Sequence, residues 1–142
     1  MKRLFEIIER EYELLKNMLK VAEEQKNALV KYEINAVERA TTKLNEIAKE
    51  LKNYENERIN LLVGELKLSR KQAYTMNLTE LSKIIDIPET TIKKKEEMRQ
   101  MIEMFASVNS LNKLLANRAL SSIGEILSTL SNPNNSVFNV RI

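Results

Sequence analysis

Hydrophobic positions recur along the chain at the three-and-four spacing of a helix stripe. From about Lys2 to about Tyr32 they are Leu4, Ile8, Leu15, Met18, Ala22, Leu29 and Tyr32. Glu11 and Gln25 occupy two positions of the same series. This is a seam with polar interruptions, as a long helix presents to a partner helix. Ile7, Leu14, Leu19 and Val21 widen it, so this helix is expected to meet more than one neighbour. A break follows at Glu33-Ile34-Asn35, where Asn35 and Glu38 make a candidate capping box. The second helix is marked by Val37, Ala40, Leu44, Ile47, Leu51, Tyr54, Arg58, Leu61, Glu65 and Leu68, with Ile59, Leu62 and Leu66 as a second stripe. So short a connection makes the first two helices antiparallel neighbours.

Two short elements come next. Ser69 with Gln72, and Asn77 with Glu80, have the spacing of helix N-caps. Pro88 suits the first turn of a last, long helix from about Pro88 to about Leu130. Its expected buried side is Met98, Ile102, Phe105, Val108, Leu111, Leu115, Ala119, Ile123, Ile126 and Leu130, and Met101 is the methionine expected to face away. Pro133 and its neighbouring asparagines stop the helix. The pattern predicts an all-α fold: an elongated antiparallel helical bundle or coiled-coil hairpin, with short connector helices and a long C-terminal helix. Residues 1–130 form one domain in this reading, and 131–142 a flexible tail.

Composition narrows the chemistry. The 142 residues include only two Gly and two Pro, too few for a fold of sheets and tight turns. There is no Cys and no His, which removes thiol and imidazole catalysis and the usual zinc ligands. Acidic neighbours such as Glu23-Glu24 and Glu96-Glu97 diverge by about 100° on a helix and make no acid/base pair. No enzyme, metal or cofactor is expected. The charged N-terminus MKRLFEIIEREYELL is neither a signal peptide nor a membrane span. Absence of Cys fits a cytoplasmic protein, and no stable membrane insertion is expected.

Leu78 to Lys95, LTELSKIIDIPETTIKKK, has the look of a helix-turn-helix. Leu81, Ile84, Ile85, Ile87 and Ile92 would pack its two helices, Thr90 and Thr91 would reach bases, and Lys93, Lys94 and Lys95 would meet phosphates. Against this, Glu96 and Glu97 follow at once, the second helix runs on for many turns, and no basic arm accompanies it. The net charge is only +3. DNA binding through this segment is therefore the alternative reading, and no nucleic acid is expected as partner.

The last helix contains VNSLNKLLANRAL, in which Asn109 and Asn112 stand one turn apart. On spacing alone they are polar residues at a helix–helix contact that sets register. The wider order resembles the FlgN family of flagellar type III export chaperones. A long first helix and a break lead to a second helix with Glu55 and Arg58. Asn77-Leu78-Thr79-Glu80-Leu81 follows, then the Asn109 to Leu115 pattern, and a tail with an aromatic, here Phe138. Membership would imply binding to the hook–filament junction proteins FlgK and FlgL, protection from premature association, and delivery to the cytoplasmic domain of the export gate FlhA. A homodimer is a further possibility for such helices, and the sequence does not fix the oligomeric state. The candidate cargo-binding residues are Leu114, Leu115, Ile123, Ile126, Leu127 and Leu130. Val137 and Phe138 are the candidate tail anchor for cargo or gate.

Overall fold

The computed structural model describes residues 1–130, and of Ile123, Ile126, Thr129 and Leu130 only the backbone. The tail anchor Val137 and Phe138 lies outside the described residues. Three long helices carry the fold: α1 Lys2–Val30, α2 Ile34–Leu66 and α5 Glu89–Leu130. Two short ones, α3 Arg70–Thr75 and α4 Leu78–Leu81, join α2 to α5. The expected all-α bundle with short connectors and a long last helix is what forms.

α1 lies between the other two long helices. It packs against α2 on one side and α5 on the other, while α2 and α5 are not closely apposed. α2 is antiparallel to α1, as pairing of Glu11 with Arg58 and of Gln25 with Thr41 requires. α5 is parallel to α1. Tyr12 donates to Glu97 at 2.6 Å, Lys94 pairs with Glu9, and Asn112 bonds Ala22 and Gln25, so partners advance together along both helices.

Leu4, Ile8, Ile59, Leu62, Ala73 and Leu81 form one buried cluster, where the connectors close the end of the bundle. Val21, Ala40 and Ile47 form a second, between α1 and α2. Ile7 and Val21 are buried and Leu14 and Leu19 half-buried, so the widened face of α1 is used as its two neighbours demand.

The two predicted connector caps form. Ser69 Oγ accepts from the Gln72 N–H while Gln72 Oε1 accepts from the Ser69 N–H, and Asn77 Oδ1 accepts from the Glu80 N–H. The Asn35 cap does not. α2 starts earlier, with Glu33 at its N-cap and no side-chain capping bond. The turn is governed instead by the end of α1. The N–H groups of Tyr32 and Glu33 bond the carbonyls of Leu29 and Ala28, which is the Schellman arrangement. Its left-handed residue is Tyr32 at φ 57°, so Tyr32 leaves the seam and is exposed.

α5 also departs from its expected face. Every seventh residue from Thr91 turns inward: Thr91, Met98, Phe105, Asn112 and Ala119. Met101, Val108, Leu115 and Ser122 make the second line of this seam. Ile102 and Leu111, expected inside, are 51% and 42% exposed, and Met104, not Met101, is the exposed methionine. A parallel partner selects a strict seven-residue seam, and α5 carries more apolar residues than that seam can hold.

Candidate functional site

Polar residues in the helix seams find one another. Arg58 Nε donates to Glu11 Oε1 at 3.0 Å, and Glu11 is 8% exposed. Burial pushes the Glu11 carboxyl up, and the Arg58 guanidinium opposes that shift. About four turns further along α1, Gln25 joins all three long helices. Its Nε2 donates to Thr41 Oγ1 of α2, and its Oε1 accepts from Asn112 Nδ2 of α5, each at 3.0 Å. Asn112 Nδ2 also donates to the Ala22 carbonyl at 3.0 Å. Asn112 is 4% exposed, and its Oδ1 has no partner in the described structure. Polar layers of this kind favour one register over its neighbours, because a one-turn slip would bury their groups unpaired. Asn109, the other member of the pair, is half-buried and does not share this bond network.

The register set by Asn112 determines what α5 leaves uncovered. Asn112 sits beside Ala22 and Gln25, so Val30, the last residue of α1, is level with about residue 118 of α5. The remaining 12 or so residues, roughly 18 Å of helix, extend past the hairpin. Of the candidate cargo-binding residues, Leu114 is 48% exposed just before this extension, while Leu115 faces the seam and is half-buried. Leu127 lies on the extension and is half-buried, and the side chains of Ile123, Ile126 and Leu130 lie outside the described residues. Leu111 and Leu120 are large exposed apolar residues on the same stretch that the candidate set did not include. Leu111 was missed because it had been placed on the buried face.

The Leu78–Lys95 segment does not build a helix-turn-helix. Its first helix is a single turn, Leu78–Leu81. Ile84 and Ile92, needed to pack the two helices, are 50% and 45% exposed. Thr91 is buried, so it is not offered to a base. Lys94 pairs with Glu9 and lies 5.1 Å from the centre of the Tyr12 ring, which ties α5 to α1. Lys93 lies 3.9 Å from Glu89. The segment is the corner that turns the chain from α2 into α5.

Among the described residues no helix is long and apolar enough to cross a membrane. Neither the curated proteins nor the solved structures gave a match to this sequence. A family model described as FlgN protein matches residues 1–140. That match takes in all three long helices, the capped corner and the Asn109 to Leu115 stretch, and the chain therefore belongs to the FlgN family of flagellar export chaperones.

Proposed function

We propose that this chaperone binds the disordered helical terminal segments of the hook–filament junction proteins FlgK and FlgL, keeps them from associating early, and delivers them to the cytoplasmic domain of FlhA. The observation that supports this reading is the length of α5. It outruns its partner helix, and Leu111, Leu114 and Leu120 are exposed along the way. An amphipathic cargo helix laid against this stretch would replace water with apolar contact. Each side chain so buried contributes about 1.5–3 kcal/mol, whereas ordering the cargo segment costs about 2–5 kcal/mol. Three or more anchors are thus required, and Leu114, Leu115, Ile123, Ile126, Leu127 and Leu130 are the proposed set. Val137 and Phe138 in the tail are proposed as a further anchor, for cargo or for the gate. In this reading residues 1–130 are a single helical bundle domain and 131–142 a flexible tail.

Calorimetric titration with the C-terminal helical segment of a matched junction protein tests the proposal. Saturable binding is expected, weakened at least tenfold by Leu114→Glu. Truncation after Leu130 and Phe138→Ala are expected to weaken binding of either cargo or the FlhA cytoplasmic domain. Unchanged affinities in all three variants would refute the assignment. Duplex DNA titrated in parallel at physiological salt is expected to give no saturable signal. DNA binding with a silent peptide would return the Leu78–Lys95 corner to consideration.

A further inference from the structure

Val30, Tyr32 and Ile34 are 59%, 59% and 64% exposed, three large apolar side chains on the one turn that joins α1 to α2. Single exposed apolar residues are ordinary on a protein surface, but a group of them marks a contact surface. Tyr32 adds a second anomaly. At φ 57° it holds the left-handed position that a turn of this type normally gives to glycine. Its ring is exposed, and its hydroxyl makes no hydrogen bond with a described residue. Within the described chain, then, nothing offsets the strain of a tyrosine here. Strained residues collect where a ligand is held, and tyrosine is among the side chains that dominate binding interfaces. Lys31 and Glu33 flank Tyr32, so the turn itself carries no net charge and suits an apolar occupant.

The register of α5 brings this turn beside the distal stretch described above. Asn112 bonds Ala22 and Gln25, which stand 90 and 87 positions before it in the chain, and the same offsets set Leu120 level with residues 30–33. Residues seven apart keep one bearing on α5, as in the seam from Thr91 to Ala119. Leu120 and Leu127 therefore continue the line of Arg99, which borders the cavity between α5 and α2. Leu120 is 49% exposed. This flank of α5 and the turn of the hairpin are thus two apolar walls at one height, and neither covers the other.

We infer that the turn of the hairpin is the second wall of the cargo site, with Tyr32 as its anchor. This rests on the reading of distal α5 as the place where a cargo helix lies. Past the turn α5 extends beyond the hairpin, so a helix laid only on that extension would meet one neighbour. Level with Leu120 it meets α5 on one side and Val30, Tyr32 and Ile34 on the other. Helices pack with their axes about 8–10 Å apart, which leaves the turn within reach of a helix seated on α5. Contact on two sides covers the broad apolar stripe of an amphipathic helix, whereas contact on one side leaves part of it wet. The occupant is therefore the apolar stripe of the cargo's helical terminal segment, and the turn continues the surface that α5 offers to it.

The full chain and three variants are titrated calorimetrically with the C-terminal helical segment of a matched junction protein. Tyr32→Asn removes the ring but keeps a residue that tolerates the left-handed conformation. Ile34→Glu puts a carboxylate in the first turn of α2, where it suits the helix end. Ile84→Glu alters another exposed isoleucine, at the connector end of the bundle. Tyr32→Asn and Ile34→Glu are each expected to weaken binding at least tenfold, with the circular dichroism melt unchanged or raised, and Ile84→Glu to leave binding as it was. A purely structural turn would not lose cargo while keeping its stability. Parent-like binding in both turn variants, with Leu114→Glu weakened, would overturn the inference and leave the reading of α5 standing. No binding of the segment to the parent chain would overturn both. An effect of the turn variants that vanishes on truncation after Leu130 would make the tail the occupant and overturn the inference. Self-association that the turn variants abolish, with cargo binding intact, would overturn it in favour of a second copy.

Discussion

The side-chain amide of Asn112 on α5 lies 3.0 Å from the amide oxygen of Gln25 on α1, and this bond holds two parallel helices in one register. A slip of one heptad would set Met18 or Tyr32 where Gln25 stands, and neither carries an amide oxygen to accept from Asn112. The exposed length of α5 beyond the hairpin follows from this pairing.

Replacing both amides tests that role. Gln25→Leu with Asn112→Leu removes a buried acceptor that has no partner, so the melting temperature is expected to hold or rise. Register should become less well defined. Spin labels at Lys16→Cys and Glu103→Cys, in a chain with no native cysteine, should give one narrow distance distribution in the parent and a broader one in the double variant. A distribution of unchanged width would exclude a register role. Asn112→Ala alone should cost about 1–2 kcal/mol in urea denaturation, because it leaves Gln25 Oε1 and the Ala22 carbonyl without that donor.

Arg58 and Glu11 are predicted to matter more singly than together. Arg58→Ala leaves a buried carboxylate without its partner and should destabilise by roughly 2 kcal/mol, less than a fully buried pair because the guanidinium is partly solvated. Glu11→Leu with Arg58→Met should be near neutral or stabilising. A double variant as unstable as Arg58→Ala would contradict this account.

Stability is also predicted to carry a pH signature from Glu11. Burial raises its folded pKa above the ordinary value of 4.5, so the native state binds this proton more readily than the unfolded chain does. The contribution of Glu11 is then most favourable below 4.5 and declines as pH rises from there through the raised value. Glu11→Gln should remove that decline, so the stability of the variant relative to the parent should rise with pH in denaturation at a series of pH values from mildly acidic to neutral. An identical slope in both proteins would mean that the folded pKa is not raised.

Tyr32 stands in the left-handed region at φ 57°, where a side chain costs about 1–2 kcal/mol and glycine almost nothing. Tyr32→Gly should stabilise the chain by about 0.5–1 kcal/mol after the greater freedom of unfolded glycine is counted. The exposed ring forfeits little packing. A lower melting temperature would show that the ring contributes more than its exposure implies.

The sequence alone determined whatever depends on neighbours a few residues apart. Apolar spacing marked the three long helices to within a few residues, and Ser69 with Gln72 and Asn77 with Glu80 marked the two short ones, because a cap is a bond between close neighbours along the chain. The order of these elements carried the family resemblance. Tertiary structure alone decided which apolar stripe of α5 is buried. Ile102 and Met101, or Leu111 and Asn112, are equally good choices until a parallel partner is set beside them. The same holds at the first turn, where Tyr32 takes a conformation that sequence reasoning reserves for glycine, so Asn35 was preferred as the helix start. Glu11, Gln25 and Asn112 were visible as polar interruptions, but not as partners of Arg58, Thr41 and one another. Their pairing spans tens of residues along the chain, and local pattern holds no information at that range.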